Sequence, residues 1–357
     1  MRGASFLAWA VALSCVLVGC TQVAPQASGA APGSPGGSAS ASSPTAAPSG
    51  PGSIVFIRAF NVWLAGPDGS GARQLTTDGT ETANYHDPSQ ADDGTIWVVK
   101  GANSLHRLDR SGHDLASAVT LATLEHGAEG VAVAADSSHV AYTTVGTGQE
   151  VDPRFGTPTG TFLYGGTDIA NPDGTSVAGA VLPNMEFPSW IGDSHVVVTD
   201  GVDLYLDTVG SAPPIKILSE QDGCLTDFDC PAGKEAAASL SSPTVSDDGT
   251  VMAFSYVPYY GPGGRRMAVQ TDPTTIHPRT RCLIQSATQN NDTGSLSRYG
   301  QVFYYDDTAF DSSTFETKVG QGIWAFPVNL DADDCGSSAA ALILPQGSQP
   351  DWGPAAP

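Results

Sequence analysis

Between Ser53 and Gly94 the apolar and polar positions read as strand, turn, strand, turn, strand. Ile54 and Phe56 alternate with Val55 and Ile57, and Val62 and Leu64 sit beside Asn61 and Trp63. Asp68-Gly69, between two short β-prone runs, is a hairpin signal. The stretch closes on Asp87-Pro88-Ser89-Gln90-Ala91-Asp92-Asp93-Gly94, read as a turn. This closing element recurs. Phe187-Pro188-Ser189-Trp190-Ile191-Gly192-Asp193-Ser194 precedes the β-prone run His195 to Thr199, and Ser242-Pro243-Thr244-Val245-Ser246-Asp247-Asp248-Gly249 precedes Thr250 to Tyr256. A degenerate copy from Gly130 to Ser138 precedes His139 to Thr144, and Gln349-Pro350-Asp351-Trp352-Gly353-Pro354 stands near the end of the sequence. The first copies are spaced by roughly 45 to 55 residues, the length of a four-stranded blade.

Such a blade has two apolar faces and is not stable alone, so blades pack face to face around an axis until the last meets the first. The expected fold is therefore all-β, a β-propeller of four-stranded blades over residues 53–357. The strand containing Ile54 to Ile57 is expected to complete the last blade.

The first 52 residues follow another pattern. Arg2, an apolar run from Phe6 to Val18 and the small Gly19 read as a secretory signal over residues 1–19, since the run falls short of the ~20 residues of a bilayer span. From Thr21 to Gly52 the composition is almost entirely Ala, Ser, Pro, Gly and Thr without a charge. That composition buries too little apolar surface to offset ordering, and 20–52 is expected to be a disordered tether.

Two resemblances sharpen this reading. Leu17-Val18-Gly19-Cys20 resembles the lipobox of bacterial lipoproteins, which implies a lipid on Cys20 and display on the extracytoplasmic side of the cell membrane. Ser53 to Gly94, with its Asn61-Val62-Trp63 strand, Asp68-Gly69-Ser70-Gly71 turn, Leu75-Thr76 strand end and Pro-x-x-x-Asp-Gly closure, resembles the TolB-like β-propeller repeat. Ala135 to Ser138 and Ile191 to Ser194 lack the turn glycine, and the gap between Gly249 and Pro350 spans about two blades. The first blade of that gap is expected to end near Ser295 to Gly300. This gives six blades, with five or seven as alternatives. The resemblance implies a non-enzymatic protein-interaction platform in the bacterial envelope. The alternative is an extracytoplasmic receptor or enzyme that takes a sugar, peptide or other small ligand in the axial funnel.

Charge narrows the partners. The chain has 37 Asp and Glu against 15 Lys and Arg, a net charge of −22, so nucleic acid would be repelled. The expected partners are an envelope or extracellular protein and, through the lipid, the membrane; a monomer is expected. Leaving aside Cys15 and Cys20, the body cysteines Cys224, Cys230, Cys282 and Cys335 permit three pairings in an exported chain. Cys224 with Cys230, and hence Cys282 with Cys335, is the favoured one.

Catalytic constellations are absent from the sequence. Gly192-Asp193-Ser194-His195-Val196 lacks the last glycine of a nucleophile elbow, and the seven histidines are dispersed without a metal-binding spacing. No catalytic residue or cofactor is expected. Calcium is the open alternative, with Asp227 and Asp229 or Asp331, Asp333 and Asp334 as candidate oxygen ligands. The Asp92-Asp93 and Asp247-Asp248 pairs fall in the recurring element, where turn capping accounts for them. Tyr256, Tyr259, Tyr260, Arg265 and Arg266 surround a Gly- and Pro-rich loop too long for a blade turn and are the candidate contact patch.

Overall fold

The computed structural model describes residues 51–122, 127–151, 158–211, 213–219, 238–258, 266–274, 280–284, 294–306, 309–311, 316–318, 321–329 and 340–357. They form strands and, among the described residues, no helix. The chain begins with β1 (Ser53–Arg58), β2 (Asn61–Ala65) and β3 (Arg73–Gln74). Four antiparallel meanders follow. They are β4 (Tyr85–Gln90), β5 (Ile96–Lys100), β6 (Ser104–Leu108), β7 (Val119–Thr120); β8 (Ala128–Val133), β9 (Val140–Val151), β10 (Pro158–Ala170), β11 (Leu182–Pro183); β12 (Glu186–Ile191), β13 (His195–Thr199), β14 (Leu204–Thr208), β15 (Ile215–Leu218); and β16 (Ala238–Val245), β17 (Val251–Pro258), β18 (Arg266–Thr271), β19 (Thr280–Ile284). The sixth sheet is β20 (Gly294–Leu296) and β21 (Val302–Asp306), then, past the inserted hairpin β22 (Ala309–Asp311) and β23 (Glu316–Lys318), β24 (Gly322–Pro327) and β25 (Ala341–Pro345). The last strand, β26 (Ser348–Gly353), returns to pair with β1.

Six four-stranded antiparallel blades result, as the repeat spacing predicts. The innermost strands β4, β8, β12, β16, β20 and β26 each touch the next around the axis, and β26 touches β4. The two ends of the domain share one blade, with β26 innermost and β1 to β3 outside it. This corrects the expected division: the C-terminal strand completes the first blade, and the N-terminal strand does not complete the last.

Six apolar clusters hold the ring, one at each joint between blades. Val55, Ile57, Val62 and Leu64 meet Ile96, Val98 and Leu108 at one joint, whereas Ile54, Phe56 and Trp352 meet Val302, Tyr304 and Ile323 at the joint on the other side. Alternate residues of β1 thus enter opposite clusters. A strand buried on both faces needs no polar alternation, which is why Ile54 to Ile57 is continuously apolar.

The recurring Pro element proves to be an innermost strand followed by its turn. In five blades it carries the same β-bulge: two residues, Asp87-Pro88, Gly130-Val131, Phe187-Pro188, Ser242-Pro243 and Gln349-Pro350, stand opposite one on the neighbouring strand. The first residue of each pair has positive φ, from 48° at Asp87 to 57° at Gly130. Proline is tolerated next to it because a bulged residue owes no ladder hydrogen bond.

Side chains at equivalent places on four of the innermost strands latch neighbouring blades. Ser89 Oγ accepts from Val133 N at 3.1 Å, Ser189 Oγ from Val245 N at 3.0 Å, Ser295 Oγ from Trp352 N at 2.9 Å, and Asp351 Oδ2 from Gln90 N at 2.7 Å. Ala132 has no side-chain acceptor at this place; instead the Trp190 indole N–H donates to its carbonyl at 3.0 Å. Arg110 clasps the closure by donating to Gln90 Oε1, Ser53 Oγ and the Ala355 carbonyl.

Candidate functional site

The bulged strands give the axial channel two chemically different mouths. The first lies where the innermost strands begin, and the second where they end. Around the first stand the positive-φ residues Asp87, Gly130, Phe187, Ser242 and Gln349. A cavity of about 130 Å³ runs down the axis among these residues and the bulge prolines.

At one joint the first mouth widens into a cavity of about 430 Å³, lined among others by His86, Asp87, Glu129, Phe187 and Gln349. The bulge positions explain the gap: the blade of β8 is the one of the five bulged blades with glycine there, so no side chain stands between Asp87 and Phe187. A Cβ at Gly130 would lie 3.5 Å from the Phe187 ring.

The polar groups of this wall form a chain. His86 Nδ1 lies 2.9 Å from Asp87 Oδ2, and its Nε2 lies 2.7 Å from the Gly101 carbonyl oxygen. Both ring nitrogens face acceptors, an arrangement that suits the imidazolium. Burial pushes the His86 pKa down, but the Asp87 hydrogen bond and charge, the Gly101 carbonyl and Glu129 more than offset it, and the net shift is upward. Asp87 and Gln349 are joined twice, Asp87 N to Gln349 Oε1 at 3.1 Å and Gln349 Nε2 to Asp87 Oδ1 at 3.3 Å. Gln349 N in turn donates to Asp306 Oδ2 at 2.9 Å. Beside this chain, burial and the neighbouring charge of Glu129 push the half-buried Glu186 carboxyl upward.

The second mouth is carboxylic. Asp92 and Asp247 stand just past the ends of the innermost strands of blades three apart in the ring, so they approach each other across the axis. Burial, the hydrogen bond with Asp92 and the Asp92 charge push Asp247 upward, although Arg298 Nε lies 3.4 Å from its Oδ2. Deeper in the channel Asp351 also accepts from Ser295 Oγ at 3.2 Å, and burial raises its pKa to about 7. Turn capping accounts for only the second aspartate of each pair: Asp93 Oδ1 accepts from Thr95 N and Asp248 Oδ1 from Thr250 N. The first aspartate of each faces the axis, a role that sequence reasoning missed. Counting blades was the signal that could have found it, since repeat positions three blades apart oppose each other.

Tyr256 and Arg266 are direct partners across β17 and β18, near the ends of those strands at the first mouth, whereas Tyr259, Tyr260 and Arg265 lie outside the described residues. Cys20, Cys224, Cys230 and Cys335 also lie outside them, as do Asp227, Asp229, Asp331, Asp333 and Asp334; Cys282 sits in β19. Among the described residues no group of three His, Cys, Asp or Glu side chains is placed to hold a metal ion, and no helix is long and apolar enough to cross a membrane.

Searches against family models and against curated proteins give no match. Solved structures do match in fold. TolB from Acinetobacter baumannii aligns with a TM-score of 0.52 at 12% identity, over 85% of this chain and 66% of that one. A putative TolB from Agrobacterium tumefaciens aligns at 0.49 and 12% identity, over 84% and 91%. A puromycin-hydrolyzing peptidase from Mycobacterium tuberculosis aligns at 0.47 and 14%, over 82% of this chain but 42% of the peptidase. At these identities the likeness is one of fold, a TolB-like propeller.

Proposed function

We propose that the protein is a lipid-anchored, non-enzymatic propeller of the bacterial envelope that binds an extracytoplasmic partner protein at its first mouth. The observation that carries this reading is that, among the described residues, strand pairs run on and a hairpin is inserted at that mouth beyond the four-stranded repeat. The joint cavity opens there, and the β9 and β10 ladder runs on from Val145 and Gly165 to Val151 and Pro158, past Ala128 where the innermost strand of that blade begins. β16 and β17 also pair on there as far as Ala238 and Pro258, and the β22 and β23 hairpin is inserted after β21 ends there. Strand extensions and an inserted hairpin on this face fit recognition there.

In this cavity wall His86 is engaged at both ring nitrogens by Asp87 and Gly101, and Asp87 is engaged in turn by Gln349, so these groups fix the shape of the surface. A second reading, a small-ligand receptor, draws on the same convergence of polar groups in a cavity of ligand size.

Crosslinking in intact cells of the native host, with identification of captured proteins, separates the two readings. The platform reading expects one reproducible partner; no capture, together with ligand-dependent thermal stabilisation of the purified protein, overturns it. The anchor has its own test, in which Cys20→Ala should leave the membrane fraction. A variant still wholly membrane-bound contradicts lipidation.

A further inference from the structure

Resting on the reading of the first mouth as the binding surface, we infer that His86 is a proton-operated switch in its wall. The charged ring ties the Gly101 carbonyl to the chain of Asp87, Gln349 and Asp306, and the neutral ring must release one of the two. The constraint is a shortage of donors. Asp87 Oδ2, 2.9 Å from Nδ1, and the Gly101 carbonyl oxygen, 2.7 Å from Nε2, both accept, and an imidazolium has an N–H for each. A neutral imidazole has a single N–H, so a lone pair is left against one of these oxygens.

Both oxygens are held where they are. Gly101 N donates to the Asn84 carbonyl at 2.9 Å, which fixes the turn between β5 and β6. Asp87 sits in the bulge with positive φ, donates its N–H to Gln349 Oε1 at 3.1 Å and accepts from Gln349 Nε2 at 3.3 Å. Gln349 N donates onward to Asp306 Oδ2 at 2.9 Å. The ring thus stands between a turn of its own blade and a chain that crosses the shared blade to the blade of β20. With its side chain 18% exposed, water replaces a lost contact only in part.

Loss of the proton also changes the charge of the surface. The charged groups that act on the ring are Asp87 of its own strand and Glu129 of β8; Glu186 of β12 is near enough to Glu129 to feel its charge, and Asp306 is linked through Gln349. Lys100, next to Gly101, is turned to Asp78 and the Tyr85 ring. Burial alone would lower the His86 pKa, but Asp87, the Gly101 carbonyl and Glu129 outweigh it and move the transition upward from the ordinary 6.5. Below the transition the His86 and Asp87 pair is neutral. Above it the wall gains a negative charge, and either Gly101 or Asp87 has lost a donor. A partner at this mouth therefore meets a different surface on each side of the transition.

NMR titration of the purified full chain between about pH 5 and pH 9 tests the switch without a partner. The imidazole nitrogen shifts report which nitrogen keeps its proton. Either the Gly101 carbonyl-carbon shift or the exchange protection of the Asp87 amide should follow the His86 midpoint, the latter by roughly fivefold for one hydrogen bond, and neither should follow it in His86→Gln. The wild-type titration decides this whether or not the variant folds. The switch is overturned if His86 titrates while Gly101 and Asp87 stay unmoved, or if the ring keeps one protonation state throughout. Its bearing on recognition is read from a photo-crosslinking amino acid at Ala102, exposed on the wall of the same cavity, in intact cells at about pH 6 and about pH 8.5. Adduct yield should differ between the two pH values, and the difference should vanish in His86→Gln. Equal yields at both values overturn the regulatory role and leave the first mouth as the binding surface; adducts formed only at the opposite mouth remove the surface and the inference with it.

Discussion

Trp352→Ala tests the closure of the ring at its most exposed weakness, a strand at one end of the domain that must find β1 at the other. The Trp352 side chain is 8% exposed and lies among Ile54, Phe56, Val302, Tyr304, Ile323 and Leu344, so it joins the last full blade to the shared one. Gly52 packs directly on its ring, and a Cβ there would come within 2.7 Å of it. Truncating a buried tryptophan costs about 3–5 kcal/mol, the transfer term plus the cavity left behind. At about 2.1 cal/mol/K per residue, a folded domain of ~300 residues has an unfolding entropy of roughly 0.6 kcal/mol/K. The melting temperature should therefore fall by about 5–8 °C. Scanning calorimetry of Trp352→Ala beside Leu115→Ala, which truncates a side chain 50% exposed, provides the comparison. The reasoning is refuted if Trp352→Ala melts within about 1 °C of wild type, a shift too small for any buried tryptophan.

Other perturbations reach the axis and the first mouth. Asp351 has its pKa raised from the ordinary 3.8 to about 7, so between those values the folded chain holds a proton the unfolded chain has released. Its stabilising contribution is complete below 3.8 and is lost as pH rises through about 7; urea midpoints should fall more steeply over this window in wild type than in Asp351→Asn, and parallel curves would contradict the assignment. Arg110→Met removes the donors to Gln90, Ser53 and Ala355 and should cost roughly 1–3 kcal/mol by urea denaturation. Trp190→Phe loses the bond to the Ala132 carbonyl, at a joint where Ala132 offers no side-chain acceptor, and should cost about 1 kcal/mol. In NMR titration the His86 ring should titrate above the ordinary histidine value of 6.5 and drop in Asp87→Asn, whereas an unchanged midpoint in that variant would show that the pair is not formed.

The blade count was legible because each blade repeats the same local grammar, and even Ser295 to Gly300, which lacks the proline, keeps the strand-and-turn position between Leu296 and Val302. The innermost strands were harder to read. Asp87-Pro88-Ser89-Gln90 is polar and contains proline, yet it is a strand because it lines the axis and hydrogen-bonds across blades, with the proline placed in a bulge. Strand signals based on apolar alternation do not register such a segment. For the same reason the chemistry of the first mouth was hidden: the His86-Asp87 pair, Glu129 and Gln349 lie far apart in sequence, and only the closed ring brings them together. The Asp92-Asp93 and Asp247-Asp248 pairs, by contrast, drew attention to their turn role and concealed the axial one at Asp92 and Asp247.

The central claim, that recognition takes place at the first mouth, is tested most directly by placing a photo-crosslinking amino acid in intact cells at Gln349 or Glu129 and, for comparison, at Asp93 or Asp193 beside the second mouth. Partner adducts should form from Gln349 and Glu129 and not from Asp93 or Asp193. Adducts that form only from the second mouth, or equally from both, would contradict it.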